Sequence, residues 1–141
     1  MPGAPARLAV SALVVRSGKV VLVQRGAGVG EGLWAPPGGK TERGERLADA
    51  CFREVYEETG IRVRVLRAVS EIEVFASDRF CIVSFLATPA LDGVAATAGS
   101  DARTASWYDL REAKLLPLAP GVRTLLDAMF PGVRPAAVPE G

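Results

Sequence analysis

The stretch that most constrains this chain is Gly39 to Ile61, GKTERGERLADACFREVYEETGI. Its second half has helical spacing: Ala48, Cys51, Phe52, Val55 and Thr59 recur at three-, four- and seven-residue steps. Gly60 follows as a helix stop, because glycine adopts the left-handed position after the last turn with little steric cost. At about 100° per residue, those five positions share one arc, and Glu54, Glu57 and Glu58 share another roughly 120° away. The spacing predicts a helix that packs along one side and shows carboxylates on another.

Those carboxylates sit poorly for helix stability. Glu57 and Glu58 occupy the last turn, where the helix dipole favours cations. Glu54 and Glu58 repel at i and i+4, and Arg53 is placed to reach Glu57 four residues on. A solvated acidic face is the plain alternative. A divalent cation accounts for the cluster better, because Mg²⁺ takes oxygen ligands from one or two carboxylates plus substrate phosphate.

Composition narrows the chemistry further. The 141 residues suit one domain, residues 1–141, with flexible ends expected over 1–6 and 131–141. Histidine is absent, which removes Ser-His and Cys-His catalysis and His-ligated metals. The two cysteines, Cys51 and Cys81, make neither a zinc site nor a disulfide framework and read as buried thiols in an intracellular, cytoplasmic protein. With 17 basic and 16 acidic residues, net charge favours neither nucleic acid nor a membrane. No apolar run approaches the roughly 20 residues of a membrane span.

Leu8–Val15 and Lys19–Arg25 read as a strand hairpin turning at Ser17-Gly18. The glycines of Gly26–Gly32 have neither the spacing nor the following helix of a dinucleotide loop and read as a flexible loop. Gly39-Lys40-Thr41 fails as a P-loop end because Trp34 stands where the first glycine belongs. Beyond the helix, Ile61–Val69 (extendable through Phe75), Phe80–Thr88 and Ala102–Tyr108 read as strands. Asp109 is a candidate N-cap for a short helix over Leu110–Lys114. Pro120 suits the start of a helix to Phe130, with Val122, Leu125, Leu126 and Met129 on its apolar face. This order predicts an α/β fold with a mixed β-sheet.

Gly39, Glu45, Arg53, Glu54, Val55, Glu57, Glu58, Gly60 and Ile61 also fill all nine defined positions of G-x5-E-x7-R-E-U-x-E-E-x-G-U, where U is bulky and apolar. The stretch therefore resembles the Nudix box. The resemblance implies a Nudix-like α/β/α sandwich and Mg²⁺-dependent pyrophosphatase activity, with Mn²⁺ as a substitute. It makes Glu57 and Glu58 metal ligands and Glu54 a ligand or the general base. Glu45 completes the outer shell or binds a second ion, and a backbone carbonyl of Gly39 or Gly38 adds a ligand. Arg53 orients a glutamate, since a rigid guanidinium fork suits carboxylate. Some members take the base from a loop near a late tryptophan. Asp101, six residues before Trp107, is that candidate here.

Substrate choice lies outside the box. Arg25 ends the second strand and can meet phosphate. Trp34, Phe75, Phe80 and Tyr108 can stack on a base or ribose, or pack in the core. The stretches VLVQR, LWAPPGG and RFCIVSFLA resemble small bacterial ADP-ribose pyrophosphatases. The expected substrate is thus a small-molecule nucleotide, a nucleoside diphosphate linked to another group. The alternatives are a nucleoside triphosphate pyrophosphohydrolase and a non-catalytic Nudix-fold binding module. No nucleic-acid or membrane partner is expected, and a homodimer is admitted.

Overall fold

The structure, a computed structural model, describes residues 7–26, 28, 30–75, 79–97 and 102–137. The elements run β1 (Arg7–Arg16), β2 (Lys19–Arg25), β3 (Trp34–Ala35), β4 (Gly38–Lys40), α1 (Leu47–Thr59), β5 (Val63–Phe75), β6 (Arg79–Pro89), β7 (Ala102–Asp109), α2 (Leu110–Ala113) and α3 (Val122–Met129). Among the described residues the strands form one mixed sheet in the order β3-β2-β1-β6-β5, with β4 on β1 and β7 on β2. β1 runs parallel to β6, and the other pairs are antiparallel.

β1 is the strand that joins everything. Its apolar run reads as continuous because both faces are covered. Val10, Ala12 and Val14 point to one core with Ala50, Cys51 and Val55 of α1. Leu13 points to the other, with Leu110 of α2 and Val122, Leu125 and Leu126 of α3. β2 alternates the same way, Val21 towards α1 and Val20 and Leu22 towards α3. This period-2 alternation makes the α/β/α sandwich. Fully burying a side chain such as Leu13 contributes about 1.5–3 kcal/mol.

Several local expectations change once packing is seen. β1 and β2 form a hairpin only at its tip, Val15↔Val20 and Arg16↔Lys19, because the rest of β1 is paired by β4 and β6. On α1, Cys51, Val55 and Thr59 are buried as expected, but Ala48 is exposed and Phe52 is 40% exposed. Ala50 and Leu47 take their places, since the sheet contacts a face rotated from the one that spacing suggested. Gly60 ends α1 as predicted, at φ 72. Cys51 is buried, which pushes its thiol up to about 12, whereas Cys81 is only partly covered.

Hydrogen bonds also reach the residues that follow α3. The amide of Ala136 donates to Arg111 O, and the Lys114 ammonium donates to Val133 O (2.6 Å) and Phe130 O (3.2 Å). Lys114 is nearly fully buried and also pairs with Asp127, so its charge is satisfied on several sides. Beside the end of β2, Gly32 N donates to Arg25 O and Gln24 Nε2 donates to Gly32 O.

β4 lies so close to β1 that its first residue must lack a side chain. A Cβ on Gly38 would stand 2.1 Å from Val10 O and 2.8 Å from Ser11 Cα. Both obstacles are backbone, so relief requires moving a strand. We expect Gly38→Ala to lower stability by about 1–3 kcal/mol, the scale of overpacking. Gly132→Ala, which meets nothing within 4 Å, should stay within about 0.5 kcal/mol. Urea unfolding of the two variants checks the contrast.

Candidate active site

The glutamates of α1 are organised by one guanidinium. Arg53 Nε and Nη2 donate to the two oxygens of Glu45 at 2.8 and 2.9 Å. Its Nη1 donates to Glu54 (2.9 Å) and Glu57 (3.2 Å), and Nη2 also to Lys40 O (3.1 Å). The fork thus ties the loop before α1, two turns of the helix and the end of β4 into one unit. The bonds that Arg53 donates to Glu45, then the one to Glu54, raise its pKa above the usual range. Arg53 in turn, with the Glu42 amide, pulls Glu45 down to about 2.

Glu54 differs from its neighbours. Its side chain is only 14% exposed, against 45% for Glu57. Burial raises its pKa, and the bond from Arg53 opposes that rise. It lies against Gly39, where a Cβ would come within 2.6 Å of its carboxylate. The glycine therefore lets backbone approach a half-buried acid, a use of glycine that the sequence pattern alone does not explain. A carboxyl with raised pKa is better suited to accept a proton near neutral pH than an ordinary one.

Glu58 points elsewhere. One of its oxygens accepts the Gly38 amide at 3.2 Å, and it lines a cleft of about 530 Å³. The cleft's floor is the exposed face of β4, β1, β6 and β5, with Ser11, Ser84, Ile82, Ile72 and Phe80. Its other wall is the end of β2 with Arg25 and the start of α3 with Gly121 and Val122. Lys40 Nζ lies 5.3 Å from the centre of the Phe80 ring.

The residues singled out in the sequence divide clearly. Gly38, Gly39, Glu58, Arg25 and Phe80 line the cleft. Glu45, Arg53, Glu54 and Glu57 form the hydrogen-bonded cluster beside it. Trp34 is turned away from the cleft. It is 8% exposed and meets Tyr108 edge-on at 5.1 Å in the α3-side core, so packing claims both rings. Asp101 and the side chain of Phe75 lie outside the described residues. Among the described residues, the carboxylates as they stand do not gather in threes around one point that could hold a metal ion; Arg53 is at their centre. Ser11 and Ser84 were not singled out in the sequence, because isolated serines carry no spacing signal, and the start of α3 was read there as a helix start but not as part of the cleft.

Acid should loosen this cluster in a defined window. Glu45 moves downward from its ordinary 4.5 to about 2, so its stabilisation is complete above that ordinary value and is lost as pH falls towards 2. Glu54 acts in the opposite sense, because burial disfavours its ionised form. In chelator, the urea midpoint of the parent should fall over that window, and Glu45→Gln should flatten the fall.

Comparison with known proteins agrees with this geometry. The NUDIX domain profile matches residues 5–129. The CTP pyrophosphohydrolase of Escherichia coli is 34% identical over 122 residues, 86% of this chain and 89% of the relative. The ADP-ribose pyrophosphatase of Methanocaldococcus jannaschii is 31% identical over 107 residues, 73% and 62%. The oxidized purine nucleoside triphosphate hydrolase of Danio rerio is 31% identical over 106 residues, 74% and 67%. Among solved structures, the E. coli ORF135 protein superposes with a TM-score of 0.72 at 30% identity, covering 89% of each chain. A bifunctional NMN adenylyltransferase/ADP ribose pyrophosphatase from Francisella tularensis, complexed with AMP and a Mn ion, gives 0.74 at 24% identity over 94% of this chain and 43% of that one. With the full box, the sandwich and the profile match in agreement, the chain belongs to the Nudix family and is a Nudix hydrolase.

Proposed function

We propose that this Nudix hydrolase cleaves the diphosphate linkage of a nucleoside diphosphate joined to a second group, ADP-ribose-like in form, with Mg²⁺ as cofactor and Mn²⁺ as substitute. The observation that carries the reading is the cleft: it combines Glu58 and the Gly38–Gly39 backbone with apolar and cationic walls able to receive the groups at either end of a diphosphate. The donor set suits a hard cation, because the carboxylates of Glu54, Glu57 and Glu58 and the Gly39 carbonyl are all oxygen ligands. A bound ion supplies positive charge to the diphosphate oxygens, which otherwise repel a nucleophile.

The chain's own residues do the rest. Glu58 already faces the cleft, and Glu57, the more exposed partner of Arg53, can turn towards a shared ion. Glu54 is a ligand or the base, its proton affinity raised by burial. Arg53 orients these acids, and Glu45 holds Arg53 or serves a further ion. Arg25 meets phosphate and Phe80 a base or sugar. Both cysteines are free, consistent with a cytoplasmic setting, and no described helix is long and apolar enough to cross a membrane.

A second reading is a nucleoside triphosphate pyrophosphohydrolase, and the names of the E. coli and Danio rerio relatives favour it. A Mg²⁺ screen separates the two. An ADP-ribose-like substrate yields two phosphomonoesters, which an added phosphatase converts to orthophosphate. A triphosphate instead yields a monophosphate and pyrophosphate. The higher kcat/KM assigns the class.

Glu57→Gln and Glu58→Gln should each lower kcat by about 100-fold or more, since metal stabilisation of transition-state charge is worth several kcal/mol. Thermal unfolding in chelator should be unchanged or slightly raised. Near-parental turnover in both variants would remove the metal from these side chains.

The assignment of Asp101 as base or ligand rests on its flanks. Thr97 N donates to Thr59 O at 2.8 Å, one residue beyond Glu58, and Ala102 pairs with Arg25. Asp101→Asn should cut kcat by about 100-fold or more with KM nearly unchanged. Steady-state kinetics within a factor of about three of the parent would return the base to Glu54 or another box glutamate.

A further inference from the structure

The floor of the cleft carries a polar feature that the diphosphate chemistry does not use. Ser11 on β1 and Ser84 on β6 stand directly opposite each other in register, and their Oγ atoms are 2.7 Å apart. Both line the cleft, although Ser84 is 4% exposed. They sit in an otherwise apolar surface of Ala9, Ile72 and Ile82. The pair adjoins Gly38, whose added Cβ would stand 3.0 Å from Ser11 Cβ, and Gly38 in turn donates to Glu58. Ser11, Ser84 and Glu58 line the same cleft, so a nucleotide with its diphosphate at Glu58 can extend through its ribose to place its base over these hydroxyls.

A hydroxyl carries one donor and two acceptor sites, and its proton rotates to suit its partner. When two hydroxyls bond to each other, one proton lies between them. The oxygen that gives this proton then shows the cleft a lone pair. The oxygen that receives it shows the cleft its own O–H. The pair thus offers a donor and an acceptor side by side. Rotating both protons exchanges the two, and either serine can be the donor to the other. Nucleobases present a matching motif: an amino group beside a bare ring nitrogen, or an oxo group beside a ring N–H. A site of fixed polarity rejects one of these strongly, because its buried polar groups are left unpaired. A reversible pair rejects neither.

We propose that Ser11 and Ser84 together read the donor–acceptor edge of the substrate's nucleobase, and that their reversible polarity makes the enzyme accept amino and oxo bases alike. The proposal rests on the nucleotide reading of the cleft. It extends that reading to substrate class: base-bearing nucleotides, with cytosine and uracil, or adenine and hypoxanthine, treated nearly equally.

Two measurements test it. The first is kcat/KM with Mg²⁺ for matched amino and oxo nucleotides of the preferred class. The parent should stay within about 5-fold for each matched pair. Ser11→Ala and Ser84→Ala should each lower kcat/KM about 10-fold for both members, the scale of one lost hydrogen bond with its partner left unpaired. A ribose diphosphate without a base should be unaffected. The second is calorimetric binding of CMP, UMP, AMP and IMP in chelator, which needs no turnover. Comparable affinities that weaken about 10-fold in either alanine variant support the pair even if no diphosphate is cleaved, an outcome that would overturn the hydrolytic assignment alone. An amino-against-oxo preference above about 30-fold in the parent overturns the proposal. So do alanine variants with unchanged affinity, or an equal loss on the base-free substrate. Thermal melts of both variants confirm that the fold survives.

Discussion

The site depends on one guanidinium surrounded by three carboxylates. Arg53 reaches Glu45, Glu54 and Glu57 at once, and also the last carbonyl of β4. Without it, the acids of α1 would repel one another in the turn where the helix dipole is least favourable to them. With it, they become a fixed constellation. The arrangement also divides their labour. Glu45 is bound most tightly and held strongly ionised, Glu54 is half-buried with its proton affinity raised, and Glu57 is the most exposed.

This constellation matters only because of where the sheet puts it. β4 is three residues long and lies against β1 at a distance only glycine allows. That closeness brings Gly38 within hydrogen-bond reach of Glu58 and Gly39 against Glu54. Two adjacent glycines therefore do different work. Gly38 lets strand meet strand, and Gly39 lets backbone meet carboxylate. The parallel pairing of β1 with β6 then extends the floor sideways and sets two serines 73 residues apart into contact. β1 therefore pairs with the glycine strand beside the glutamates and also lines the floor of the cleft.

Much of this was legible in the sequence. Glu54, Glu57 and Glu58 at helical spacing, together with Gly60, fixed the helix and its acidic face. The nine-position pattern fixed the family. The alternation of Val20, Val21 and Leu22 is now seen to serve two cores, something a run of apolar residues conceals. The errors share a cause. Phe52 and Ala48 have the right period for the buried face of α1, but period gives an angle between residues and not the direction of the neighbouring sheet. The sequence leaves Trp34 open between stacking on a substrate and packing in the core. Its backbone pairs with Gln24 and its ring turns to Tyr108, because a large aromatic gains more from the core than from an open cleft.

By itself the sequence displayed the family pattern: three glutamates on one helix, an arginine among them and no histidine. Those features are local, set by residues within a few helical turns, and local spacing is what a sequence displays directly. Only the tertiary structure decided what stands opposite the glutamates. The cleft combines the end of β2, the face of β1 and β6, and the start of α3, segments separated by more than a hundred positions. Their meeting follows from strand pairing and from the burial of two separate cores, and neither leaves a periodic mark near Ser11 or Ser84. The box was therefore written in one short stretch, and the cleft beside it was assembled by the fold.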